Sequence, residues 1–324
     1  MKISYNHLIR NINSKPDINE VSDRLFQLGH EHEILNNIFD IEFTPNRGDC
    51  LSVNGLLRDL RLFYDVKDFN DIYEGDIEPL LIDFSNNAKE YCKNISFLQI
   101  EIDEIPKNYN NSLEEYFLEL NLKRNNFFTD ISNFISYETG QPTHCYDSTK
   151  IIEPIKLDFT SAKSEFDTLF DKKIQINEDN LVFFDGTNNI INLAGIMGGK
   201  ETSCNKNTKS VLIECAHFDP EIIIGKSIKY GINSEAAYKF ERNTDHQNHN
   251  FVLRRFLKII EEHTTIKNIK LYEENSQHQK KESVLFDINI INSILGTNIR
   301  DNEIIFFFVK FCRYFLILIC KINI

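Results

Sequence analysis

The stretch Leu193–Glu214, LAGIMGGKETSCNKNTKSVLIE, constrains this chain more than any other. It joins a glycine cluster, Gly195, Gly198 and Gly199, to an apolar run, Val211-Leu212-Ile213, that closes on the carboxylate of Glu214. Glycine lets a backbone turn sharply or approach another group closely. A carboxylate closing an apolar run is costly to bury unless donors reach it. Together the two halves describe a small-molecule pocket, with close backbone on one side and one acceptor on the other. Taken alone, the same residues also fit a loop between two strands with Glu214 at an exposed end, a common arrangement.

The 324 residues leave room for two or three domains and a sizeable core. At 41% hydrophobic and 26% charged residues, the composition is that of a globular protein. A net charge of −13 repels polyanions, so any nucleic-acid contact needs a local basic patch or a basic partner. The same charge disfavours binding to a membrane surface. The opening MKISYNHLIRNINS has no long apolar core and no small-residue cleavage site, so it is not a secretion signal. The seven cysteines are irregularly spaced and form no CxxC pair. They read as reduced thiols of a cytoplasmic protein, not as a disulfide framework or a zinc site.

The first 35 residues read as helical, with Asp17 capping a helix whose apolar face is Ile18, Val21, Leu25 and Leu28. Glu20 stands in the capping-box position and Gly29 at the stop. Ile41–Thr44 suits a short strand, Pro45–Asp49 a turn, and Leu51–Tyr64 a helix. Residues 66–90 are polar and acidic and include a linker. From about 91 to 240 the pattern is one of short β-like runs and turns, among them Ile95–Ile100 and Ile155–Phe159, with Asp185-Gly186 as a turn signal. Val252, Leu253, Phe256, Leu257 and Ile260 form a helical core stripe. Another module begins near 284. Ile304–Ile324 is almost wholly apolar yet carries Lys310 and Arg313. It marginally meets the roughly 20-residue length of a membrane span. The preferred reading is a broken end, a sequence that has left its reading frame in a T-rich tract.

Three local candidates for chemistry are weak. The glycine cluster is not a phosphate loop: Gly199-Lys200 is followed by Glu201, and Ala194 stands where the first P-loop glycine belongs. In Gly140–Asp147, GQPTHCYD, Pro142 stiffens the turn that presents His144. Cys145 is adjacent, but neighbours in an extended segment point to opposite faces, so the two do not make a nucleophile and base. His246 and His249 near Glu241 lack a firm third ligand, and no metal site is expected.

Read in order, the segments resemble the β subunit of bacterial phenylalanine–tRNA ligase. MKISYNHLI matches the family's opening, with His7 where Trp is usual. Thr44–Ser52 matches its TPNRxDCLS signature, and Gly55 and Arg58-Asp59-Leu60 follow. Asp130–Asn133 and then GQPTHCYD match DxTNY and GQPxHAFD. LAGIMGG, ECAHFDP (214–220) and SEAAYKFERNTD (234–245) follow at the family's spacing, with Asn243 where Gly is usual. The resemblance covers roughly residues 1–305.

The resemblance implies a multidomain α+β fold. Residues 1–85 form a small N-terminal α/β domain, 91–270 a mixed α+β tRNA-editing domain, and 284–324 the truncated start of a further module. It implies an α2β2 enzyme whose α subunit holds the synthetic site for phenylalanine, ATP and Mg²⁺. The β subunit's editing site hydrolyses tyrosine wrongly attached to tRNA-Phe. No cofactor is expected on this portion itself. Carried over by motif, the site comprises His144, Asn133 and Glu214 as catalytic residues, with Ser132, Ala194, Gly195, Ser234 and Ala236 binding substrate. Ser132 and Ser234 stand where the family has Thr.

The physical logic agrees. An apolar synthetic pocket rejects an added hydroxyl only about 100-fold, so a second, hydrolytic sieve is useful. A buried acceptor such as Glu214 would reward the tyrosine hydroxyl, and phenylalanine would leave it unpaired at about 1–3 kcal/mol. His144 and Asn133 would position the ester and the attacking water. The family's OB-fold insertion between about Ile34 and Phe43 is missing, as is its long C-terminal half. The chain is therefore expected to be an N-terminal portion that does not aminoacylate. The alternative is a non-catalytic structural or RNA-binding remnant.

Overall fold

Strand Ser210–His217 is covered on both faces, and the chain is organised around it. It pairs antiparallel with Asn94–Ile102 on one side and Thr143–Asp147 on the other. Ile266–Asn275 and Glu78–Pro79 complete a five-stranded sheet beyond Asn94–Ile102. The computed structural model describes residues 1–275, 287–304 and 306.

The two-residue period of the strands divides the interior. Val211, Ile213, Cys215, Leu98, Ile100 and Cys145 join one apolar cluster. Leu212, Ala216, Phe97 and Tyr146 join another. Helices Phe127–Thr139 and His249–Glu261 contribute to the first. A second five-stranded sheet contributes to the other, in the order Met197–Gly198, Ile190–Leu193, Leu181–Phe184, Ile155–Phe159, Phe84–Asn86. The architecture is α+β, with helices on one face of the central sheet and a second sheet on the other.

At the N-terminus, Lys2–Ser4, Ile38–Glu42 and Glu31–Leu35 form a three-stranded sheet beside helices Ile18–Gln27 and Val53–Leu60. Its apolar residues Ile3, Val21, Phe39 and Leu57 share the cluster of the helix layer. Asp17 caps as its sequence position predicts, accepting from the Asn19 and Glu20 amides. Glu20 does not close a capping box; its carboxylate accepts from the Tyr64 hydroxyl at 3.1 Å. Gly29, at φ +81, ends the helix.

The structure departs from the expected helical start: strands occupy Lys2–Ser4 and Glu31–Leu35, because both find a partner in Ile38–Glu42. Strand pairing outweighs local propensity there. The region read as β-like contains five α-helices, the short Pro220–Ile223, Lys226–Tyr230 and Glu235–Phe240 and the longer Asn111–Glu119 and Phe127–Thr139. In the last of these, Phe127, Ile131, Phe134 and Ile135 are buried at helical spacing, Asn126 caps through the Thr129 amide, and Gly140 closes at φ +86. His144 lies in a strand, not a turn. The expected linker supplies edge strands to both sheets, Glu78–Pro79 and Phe84–Asn86. Helix Ile288–Leu295 is capped by Asp287 and buries none of its residues. Apart from Ile304 and Phe306, the apolar tail lies outside the described residues. Among those described, no helix is long and apolar enough to cross a membrane.

Candidate functional site

Register brings the site together. Glu214 pairs with His144, and Leu212 with Tyr146, so Glu214, His144 and Tyr146 share one face of the central sheet. Diagonal neighbours on such a face lie within reach of a long side chain. The Tyr146 hydroxyl donates to Glu214 Oε2 at 2.6 Å. Asn192, from strand Ile190–Leu193 of the second sheet, donates through Nδ2 to the same oxygen at 3.0 Å and to the Tyr146 oxygen at 2.8 Å. Glu214 is only 4% exposed, which rules out the exposed strand end. Burial pushes its carboxyl up to about 7, against the pull of the Tyr146 and Asn192 hydrogen bonds. Among the described residues, no donor reaches Oε1.

His144 stands edge-on to Tyr146, with ring centroids 4.4 Å apart. Its Nε2 is sealed from solvent without a hydrogen-bond partner. Burial lowers its pKa to about 4, so the ring is neutral near pH 7. Cys145 points to the opposite cluster, where its thiol contacts the Phe128 carbonyl at 3.5 Å, so the two form no catalytic pair. Gly198 is essential to this packing: a Cβ there would lie 2.1 Å from His144 Cε1.

The other expected site residues are placed unevenly. Gly195 takes φ +68, and a Cβ there would meet Phe218 and Ile223 at 2.9 Å, so its close approach is to core side chains. Ala194 is buried, its amide donating to the Leu181 carbonyl. Ser234 caps helix Glu235–Phe240 and donates to the Ile196 carbonyl at 2.7 Å, fastening that helix to the glycine loop. Ala236 is half-buried on the same helix. Ser132 is buried and committed to Thr143, at 2.7 Å from its carbonyl and 2.8 Å from its hydroxyl. Asn133, next on the helix, is exposed and makes no hydrogen bond in the Glu214 network. Lys239 is buried and donates to the Ser136 hydroxyl at 3.0 Å, joining the two helices; burial lowers its pKa to about 8.

Asn243 has φ +66, a conformation that suits the glycine of the family pattern, and its Oδ1 pairs with His217 Nε2 at 2.8 Å. His246 and His249 do not converge with Glu241 on a metal-sized site. Among the described residues, one trio does: His30, Cys50 and Asp59, within 4.8 Å of one another. Arg47 already lies there, with Nη2 2.7 Å from Cys50 Sγ and bonded to Asp59. Burial, together with Asp59 and Asp49, pushes the Cys50 thiol far up, and Arg47 and Arg58 pair with Asp59 in the same group. The five described cysteines are free.

Sequence reasoning missed Tyr146 and Asn192, and named Gly198 only as a member of the glycine cluster. Asn192 carried a usable signal, a polar residue inside the apolar run Ile190–Leu193. Tyr146 carried one too, standing where the pattern GQPxHAFD has Phe, but its pairing with Glu214 depends on strand register.

The segment that carries these strands falls within a known domain class. Residues 98–265, just over half of the chain, match the B3/4 domain family, and the chain belongs to that family. More particularly, it is similar to bacterial phenylalanine–tRNA ligase β subunits. That of Psychrobacter arcticus is 28% identical over 276 residues, covering 82% of this chain and 34% of the relative. That of Aquifex aeolicus is 33% identical over 220 residues, covering 66% of this chain and 28% of the relative. The chain spans about a third of the length of the curated relatives it matches. An N-terminal fragment of the phenylalanyl-tRNA synthetase β-subunit from Pyrococcus horikoshii aligns over 96% of this chain and 88% of the fragment, at 12% identity and a TM-score of 0.45.

Proposed function

We propose that this chain is the editing portion of a phenylalanine–tRNA ligase β subunit and hydrolyses tyrosine esterified to tRNA-Phe. The observation that carries this reading is the buried polar group of Glu214, Tyr146 and Asn192 beside the neutral His144. Water adds to the ester carbonyl, the terminal ribose oxygen leaves with a proton, and free tyrosine and tRNA result. His144, uncharged and held by Gly198, orients the ester and the water; its contribution is positional. Asn133, exposed one residue beyond Ser132, reaches the tRNA end and not the side-chain pocket.

The whole enzyme pairs this subunit with an α subunit in an α2β2 assembly in the cytoplasm, and ATP and Mg²⁺ serve the α subunit's synthetic site. The charge of −13 means that tRNA approaches by a local basic surface or with help from the partner. The test is deacylation of Tyr-tRNA-Phe with the chain in excess. The expected result is acceleration over spontaneous hydrolysis that falls at least about tenfold in His144→Ala. No acceleration, or an unchanged rate in that variant, would contradict the reading.

A further inference from the structure

Glu214 already holds a phenol. In a sieve built on a buried acceptor, the ligand lacking the hydroxyl is rejected because it leaves that acceptor unpaired. Here the chain itself supplies the pairing: Tyr146 lies 2.6 Å and Asn192 3.0 Å from Glu214 Oε2. A phenylalanyl group therefore orphans nothing at Oε2. The phenol of a tyrosyl group must share that oxygen with Tyr146 or use Oε1. Tyr146 is 1% exposed and held in its strand opposite Leu212, so it does not simply swing aside.

We propose that Tyr146 is a specificity-determining residue of this site: its hydroxyl occupies the acceptor that would read the para-hydroxyl of a bound aminoacyl group, and so narrows the preference for tyrosyl over phenylalanyl ligands. The proposal rests on the editing function above. Tyr146 is not a catalytic residue; it acts through Glu214. Its ring belongs to the apolar cluster and to the edge contact with His144. Tyr146→Phe keeps both and removes one oxygen, while Asn192 still donates to Glu214.

The experiment compares the wild-type chain, Tyr146→Phe, and Tyr146→Phe combined with Glu214→Gln. Deacylation of Tyr-tRNA-Phe and Phe-tRNA-Phe is measured in parallel with calorimetric binding of L-tyrosinamide and L-phenylalaninamide. Tyr146→Phe is expected to raise the tyrosyl-to-phenylalanyl ratio about tenfold, and the added Glu214→Gln to bring it back. A ratio that is unchanged or lower in Tyr146→Phe overturns the proposal. If none of the three proteins hydrolyses either ester, the editing function fails, while the amide affinities still decide the role of Tyr146 by the same ratio. If Tyr146→Phe does not fold, Tyr146→Met, which also lacks the donor, takes its place with the same expected direction.

Discussion

Replacing Glu214 with Gln isolates the energetic consequence of burying this carboxyl. Burial raises it from its ordinary 4.5 to about 7 in the folded chain, against the pull of Tyr146 and Asn192. Between those values the folded chain holds a proton that the unfolded chain has released, so folding takes up a proton and stability falls as pH rises. Glu214's contribution is therefore fully present below about pH 4.5 and lost as the pH passes through about 7. At about 1.36 kcal/mol per pH unit the loss amounts to about 3 kcal/mol. Glutamine cannot ionise but keeps a carbonyl oxygen for the Tyr146 hydroxyl. The difference in unfolding free energy between wild type and Glu214→Gln should fall by about 3 kcal/mol from pH 4.5 to pH 8. Taking the difference cancels the opposite slopes of other carboxylates. Urea unfolding followed by far-ultraviolet circular dichroism measures it, since the chain has no Trp to report by fluorescence. A flat difference would refute the burial argument. A rising one would mean that the two donors hold the carboxylate ionised.

Two further perturbations probe the scaffold. Gly198→Ala places a Cβ 2.1 Å from His144 Cε1; the ring must move, destabilising the fold by about 1–3 kcal/mol. Tyr-tRNA-Phe deacylation should fall with it, as urea titration and the deacylation assay would show; an active, equally stable variant would contradict this packing. Asp59→Asn removes the buried charge that pairs with His30, Arg47 and Arg58, at about 3 kcal/mol. Burial opposes ionisation of Asp59, but the His30 and Arg47 hydrogen bonds and the arginine charges outweigh it and hold the carboxyl well below 3.8. Its stabilisation is thus present above pH 3.8 and lost as the pH falls below it, and acid unfolding curves should show that loss in wild type and not in Asp59→Asn.

Features with a local cause could be read from the sequence: the Asp17 cap, the Gly29 stop, the alternation of Ile155–Phe159 and the stripe from Val252 to Ile260. Helix Phe127–Thr139 was harder to read because eight of its residues are buried, which blurs the polar face that reveals amphipathic helices. At the site, Glu214 stood out as a carboxylate closing an apolar run. Its partners were harder to find: Tyr146 and Asn192 lie 68 and 22 residues away along the chain, and Tyr146 meets it through strand register, Asn192 through the packing of the second sheet on the first. Within the glycine cluster, Gly198 meets the His144 ring, whereas Gly195 lies against the core around Phe218.

The central claim, that a tyrosyl group binds beside Glu214 and His144, is tested most directly by a crystal structure of the chain with a tyrosyl-adenosine in which an amide replaces the ester. The account predicts the tyrosyl ring between the two sheets beside Gly198, its phenol within about 3.5 Å of a Glu214 oxygen, and the linking carbonyl near His144. The analogue seated elsewhere, or surroundings of Glu214 unchanged at saturating analogue, would contradict it.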